Sequence, residues 1–200
     1  MPMEGPPQSN THERKSVHRP TGNRTGGGGS VEFQEVIGRR RSIRVYSEES
    51  VDPAALDRVL RAVSRAPSAG NLQAYRISVV GSPRKRQALA VAAGDQAFLA
   101  QAPLDLVFFA DPDRSAAKYG RRGASLYAVQ DATIAATFAV LAATNEALST
   151  VWVGAFDESA VRAVCGETKL RPVAIIAVGH GAEDPRETAR RDREETVREL

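Results

Sequence analysis

The stretch from Ala124 to Leu148, ASLYAVQDATIAATFAVLAATNEAL, constrains this chain more than any other segment. It is rich in alanine, the strongest helix former, and apolar on nearly every side, so it predicts a long helix buried all round. A membrane span is the competing reading. However, the uncharged run from Ala132 to Thr144 falls well short of the ~20 residues a bilayer requires, and Gln130-Asp131 interrupts it. A domain built around this helix, with no membrane, is therefore expected. Its apolar surface exceeds what one small domain can cover, which points to a homodimer with this helix at its centre.

Two hundred residues at 42% hydrophobic suffice for one core around that helix. The first thirty residues hold one aliphatic residue beyond two methionines and end in Gly26-Gly27-Gly28-Gly29-Ser30. Such a segment cannot repay the entropy of ordering, so residues 1–30 are expected to be a disordered Gly/Pro/Ser-rich tail and residues 31–200 the folded domain. The tail has no apolar core of the secretory kind; a basic transit peptide is the alternative. Of the 27 basic and 24 acidic residues the tail holds four and two, which leaves the domain one charge from neutral. A near-neutral domain without a basic stripe argues against nucleic acid as a partner. The lone Cys165 can form neither an internal disulfide nor a metal cluster, so no metal is expected and a reducing cytoplasm fits best.

Periodicity then lays out the domain. Phe33, Val36 and Ile37 share one face of a short helix. Asp52 is a good N-cap and Pro53 a good first helical residue. Leu56, Val59, Leu60 and Val63 continue the helical pattern until Pro67 stops it. Tyr75 to Val80 alternates as a strand, residues 83 to 93 form a helix, and Leu104 to Ala110 (LDLVFFA) is a near-continuous apolar strand. After the long helix come a strand at Thr150 to Val153, a helix capped by Asp157, a strand at Pro172 to Val178, and a charged tail. The alternation predicts an α+β fold of three α-β-α layers, with a mixed central sheet and helices on both faces.

Three clusters carry chemistry. Arg40-Arg41-Ser42-Ile43-Arg44 gathers three guanidinium groups and a hydroxyl where helix gives way to extended chain. Guanidinium forks match phosphate oxygens, and alternate residues of an extended segment point the same way; a solvated basic turn is the alternative. Pro67-Ser68-Ala69-Gly70-Asn71-Leu72-Gln73 presents two carboxamides, the mixed donor and acceptor set that a flat heterocycle needs, or else an ordinary Asn/Gly turn. Val151-Trp152-Val153-Gly154-Ala155-Phe156 ends a strand in small residues that let backbone approach a ring between apolar walls, or else a packed strand end.

In this order the clusters resemble the nitroreductase family of FMN-dependent oxidoreductases, which also includes quinone- and flavin-reducing enzymes, a flavin destructase and iodotyrosine deiodinase. The matching pieces are Arg40-x-Ser42-x-Arg44 followed by Tyr46, Pro67-Ser68-x-x-Asn71-x-Gln73, the Ala-rich helix, Trp152-x-Gly154-Ala155-Phe156, and the strand from Arg171 to Gly179. The resemblance implies FMN held between two subunits. Arg40, Arg41, Ser42, Arg44 and Arg190 would meet its phosphate, with Arg191 or Arg193 as the alternative to Arg190. Ser68, Asn71 and Gln73 would meet ring and ribityl edges, and Trp152, Val153 and Gly154 would lie near the N5 side. It further implies that NAD(P)H, either NADH or NADPH, reduces the flavin and that a small-molecule acceptor reoxidises it, with no acid or base required from the protein. The chain departs from the family at Ala74-Tyr75 and at Ala147-Leu148-Ser149-Thr150. The segment from Asp111 to Gly123 matches no subgroup. Tyr119, Arg121 and Tyr127 are candidate acceptor contacts there, against a plain surface loop. A non-catalytic flavin- or nucleotide-binding dimer, a sensor or carrier, is the alternative function.

Overall fold

The Asp-Pro pair at Asp52-Pro53 shows how local signals set the elements. Asp52 accepts a hydrogen bond from the Ala54 N–H at 3.0 Å, and Pro53 opens α2 where an amide donor would be unused. In this computed structural model residues 32–200 are described; the expected tail 1–30 lies outside them. In chain order the elements are α1 (Phe33–Arg39), α2 (Pro53–Val63), β1 (Tyr75–Val80), α3 (Pro83–Ala92), α4 (Phe98–Gln101), β2 (Leu104–Ala110), α5 (Pro112–Arg122), α6 (Ala128–Asn145), β3 (Ser149–Val153), α7 (Glu158–Cys165), β4 (Arg171–Gly179) and α8 (Arg193–Thr196).

The four strands form one sheet in the order β1-β2-β4-β3. All three pairings are antiparallel. The mixed sheet expected from the sequence is therefore narrowed: among the described residues, parallel pairing is confined to one bridge between Ser42 and Thr150 at the β3 edge. Side-chain alternation divides the core. Leu104, Leu106 and Phe108 of β2 with Ala174, Ile176 and Val178 of β4 face α2 and α6. Val107 and Phe109 with Ile175 and Ala177 face the layer of α3, α4 and α7. The three α-β-α layers follow from that period of two.

α6 lays Ala132, Ala135, Ala136, Ala139 and Ala143 inward, small residues that let the helix approach its neighbours closely. It is not buried all round. Gln130 and Thr137 are exposed and Ile134, Phe138 and Leu141 only half-buried, so one face of the helix is uncovered within a single chain. The helical stretch Pro112–Asn145 is long and apolar enough, by length and composition, to cross a membrane. Its backbone nevertheless breaks at Gly120 (φ 56°, ψ −144°), and its C-terminal half, α6, packs on α2 and the sheet, as a core helix does. The segment from Asp111, weighed above as a loop, is helical: α5 starts on the same Asp-Pro device as α2, with Asp111 accepting from the Arg114 N–H at 3.0 Å.

One carboxyl breaches the core. Asp105 of β2 is fully buried and neither oxygen has a hydrogen-bond partner. Burial pushes its pKa up to about 8, with Arg86 pulling the other way. The Tyr46 hydroxyl is raised as well, by burial first and then by the charges of Asp105 and Glu183.

Candidate functional site

After α1 the chain straightens because both its sides are taken. The Ile43 N–H donates to the Thr150 carbonyl at 3.0 Å on the β3 side. On the other side the Ala182 N–H donates to Val45 O and the Ser47 N–H to His180 O, each at 2.9 Å. Ile43 and Tyr46 turn into the core, and Arg44 remains exposed. The same pairing carries the chain after β4 back past the arginines. Glu183 anchors it, accepting from the Arg44 N–H and from the Val45 N–H, the latter at 3.1 Å.

The result is a cavity of about 250 Å³ lined by Arg40, Arg41, Ser42, Arg44, Pro185, Arg186, Glu187, Thr188 and Arg190. The structure thus brings together every phosphate candidate read from the sequence and adds Arg186, which that reading missed. Of the three alternatives Arg190 lines this cavity and Arg191 and Arg193 do not; Arg193 pairs with Glu199. Five guanidinium groups face one lining carboxylate, Glu187, which lies 3.4 Å from Arg41 and is itself largely exposed. Such a surplus suits a dianion that brings several acceptor oxygens.

The second cluster is a loop between α2 and β1. Ser68 is extended (φ −145°, ψ 157°), and its Oγ accepts the Gln73 N–H at 3.0 Å, which closes the loop. The Gln73 carboxamide donates to the Asn71 side-chain oxygen at 3.3 Å. Both carboxamides are exposed, and both residues have positive φ, 57° and 49°, alongside Gly70 at 56°. The loop is held from α6, where Asp131 accepts from the Ala69 N–H at 2.9 Å and the Ala74 N–H at 3.3 Å. From α5, Arg114 donates to the Leu72 carbonyl. Beside the loop opens a cavity of about 520 Å³ lined by Pro67, Ser68, Ala69, Tyr127, Val129, Gln130, Asp131, Thr133 and Ile134.

The third cluster ends β3. Val153 is buried and offers only backbone, Trp152 is 38% exposed, and Gly154 is exposed. A Cβ built on Gly154 would meet only the Trp152 indole nitrogen, at an ordinary 3.6 Å. The space beside Gly154 is thus open within this chain, room for a group that approaches from outside. A cavity of about 170 Å³ includes Gly154 and Phe156 and shares Val129 with the cavity beside the Ser68 loop.

α5 lies over that loop. Tyr119 and Tyr127 meet edge to face with centroids 5.2 Å apart. The arginine that joins them is Arg122, whose Nε donates to the Tyr127 hydroxyl at 3.0 Å. Arg121, the candidate named from the sequence, is exposed and forms no side-chain hydrogen bond or ion pair among the described residues.

Four antiparallel strands between two helical layers, with an arginine cavity at one edge and a carboxamide loop on the long helix, define a nitroreductase-like fold. Comparison with known proteins agrees. The model of the Nitroreductase family matches residues 37–97 and 87–180. An NADH dehydrogenase of Thermus thermophilus is 31% identical over 174 residues, which cover 73% of this chain and 85% of that protein. The NfrA1 nitroreductase from B. subtilis superposes with a TM-score of 0.78 at 25% identity, covering 84% of this chain and 74% of its own. An FMN-dependent nitroreductase from Clostridium difficile R20291 superposes with a TM-score of 0.67 at 25% identity, over 77% of this chain and 90% of its own. The chain belongs to the nitroreductase family.

Proposed function

We propose that two copies of this chain hold FMN between them and use it to pass two electrons from NADH or NADPH to an organic acceptor such as a nitroaromatic, a quinone or another flavin. The observation that carries this is the arginine cavity. Its donor set is that of a phosphate monoester site, and it sits on the same β3 edge that ends in the open backbone at Gly154. The NADH dehydrogenase and FMN-dependent nitroreductase among the relatives support the same donor and cofactor.

The residues present fit the group. Arg40, Arg41, Arg44 and Arg190 bind the phosphate, with the Ser42 hydroxyl as a further donor. Asn71 and Gln73 present amide donors and acceptors to the ring edge, and Ser68 shapes their loop. The Trp152 to Gly154 backbone leaves room for a ring nitrogen. Once bound, FMN supplies the two-electron chemistry, taking hydride from the nicotinamide and returning electrons to the acceptor. Donors along a ring edge also stabilise the negative charge that reduction brings, so the loop tunes potential as well as affinity. Tyr119 and Tyr127, with Arg122 beside them, are the candidate acceptor contacts, since Tyr119 reaches the Ser68 loop at Gly70.

The arginine cavity and the Ser68 cavity share no lining residue. Between copies, one chain's arginines and the other's loop complete a site, while the uncovered α6 face, with Ile134, Phe138 and Leu141, is buried. A cytoplasmic setting suits a chain with one cysteine, half-buried with its thiol pKa raised by burial. The test is a purified protein loaded with FMN and mixed with NADH or NADPH without oxygen. The account expects the yellow colour to bleach with at least one donor and to return on adding an acceptor. Protein that stays yellow with both is a flavin-binding dimer without turnover, and protein that takes up no FMN ends the proposal.

A further inference from the structure

We infer that Asp131 is a positioning residue for the flavin, acting through the backbone of Ala69 and Ala74 rather than through any contact of its own; the inference rests on the FMN reading above. Asp131 lies in the first turn of α6 and is 2% exposed. Unlike Asp105, whose buried oxygens have no partner, Asp131 has both oxygens used by one loop: Oδ1 by the Ala69 N–H at 2.9 Å and Oδ2 by the Ala74 N–H at 3.3 Å. These two anchors bracket Gly70, Asn71 and Gln73, whose φ angles of 56°, 57° and 49° lie in the left-handed region. Backbone held that way persists only where its surroundings over-determine it.

The bonds inside the loop, from the Gln73 N–H to Ser68 Oγ and from the Gln73 carboxamide to Asn71, give it a shape but not a place. Asp131 supplies the place on the α6 side, tying both ends of the loop to that helix, while Arg114 of α5 holds only the Leu72 carbonyl between them. The chemistry asks for a carboxylate. Two N–H donors converge on one side chain, and aspartate accepts at both ends, whereas asparagine would turn its own NH₂ toward one of them. Asp131 thus fixes where the carboxamides of Asn71 and Gln73 meet the ring, and through them the potential of the bound flavin.

Asp131→Asn tests this from the helix side. Ala69→Pro tests it from the loop side by deleting the donor of the shorter bond; Ser68 is already extended, as a residue before proline must be, and Ala69 opens a 3₁₀ turn that proline's φ suits. Each variant is measured for apo-protein melting, for FMN Kd by fluorescence quenching, and for the midpoint potential and visible band of the bound flavin. Each is expected to raise the FMN Kd about tenfold and to shift the potential to more negative values. In the double variant the second change adds less than it does alone, since both remove one link. If either fails to fold, the other carries the same readouts. Variants that keep wild-type Kd, potential and spectrum, even with lowered melting, make Asp131 merely structural and overturn the inference. Wild type that takes up no FMN overturns the flavin reading and this role with it.

Discussion

The arginine cavity and the Ser68 loop, the two ends of the proposed FMN site, are built by opposite means. The cavity is built from long side chains on ordinary extended backbone, partly exposed, with Glu187 as a loose counter-charge. The loop is built from left-handed backbone, three positive φ values within four residues and two of them at the side-chain-bearing Asn71 and Gln73, tied to a buried carboxylate. Charge that stays near water costs little to assemble and attracts a dianion from any direction, but it orients weakly. Backbone held off its preferred conformation costs stability and gives direction. The difference teaches that, in the proposed site, affinity and orientation are separable, with the arginines expected to supply the first and the loop the second.

Arg44→Glu should break the phosphate half alone. It replaces a charge-assisted donor with a repelling charge and raises the FMN Kd by on the order of a hundredfold. Because the side chain is exposed and only its backbone N–H meets Glu183, apo-protein stability should stay within about 0.5 kcal/mol. Calorimetry of the apo-protein beside an FMN titration checks both numbers. Retained FMN affinity would remove the phosphate role from the whole segment.

Gly70→Val should act on both properties at once. A branched side chain at φ 56° is strained, and its Cβ would displace the ends of Tyr119 and Lys118. A loss of about 1–2 kcal/mol in apo-protein stability and a Kd raised about tenfold are expected. If stability falls while FMN binding holds, the loop's shape does not matter to the ligand and the comparison fails on its ring side.

These two regions were unequally legible in the sequence. Arg40 to Arg44 and Arg190 could be read because charge needs no long-range contact to declare itself. The fold was legible for the same local reasons: β1 and β2 run over the expected residues, and α2 starts at its Asp-Pro cap. α5 carries the same signal at Asp111-Pro112 but no apolar stripe. Its packing instead rests on Ser115 against Gly123, small residues that periodicity does not register, so a loop was the natural expectation. Asp131 read as an interruption of an apolar helix. Its partners are backbone N–H groups 62 and 57 residues away, and backbone donors leave no mark on a sequence. Asp105 was hidden similarly inside LDLVFFA, where the apolar run correctly announced burial but not what it does to a carboxyl.

Asp105→Asn supplies the smallest effect on the ligand and a control for both regions. The folded chain keeps this carboxyl protonated up to about pH 8, whereas the unfolded chain ionises it near its ordinary ~4. Folding therefore takes up a proton between those values, and wild-type stability should decline as pH rises through that window, by about 3–4 kcal/mol from pH 5 to pH 8. Melting curves of Asp105→Asn should lack that slope, with the FMN Kd unchanged. A slope that persists in the variant would assign the titration to another group.

The most direct measurement is a titration of apo-protein with FMN, followed by flavin fluorescence and by sedimentation on the same samples. The account predicts saturation at equimolar FMN per chain in a species of two chains. Failure to bind FMN, or saturation of a single chain with both regions intact, would contradict it.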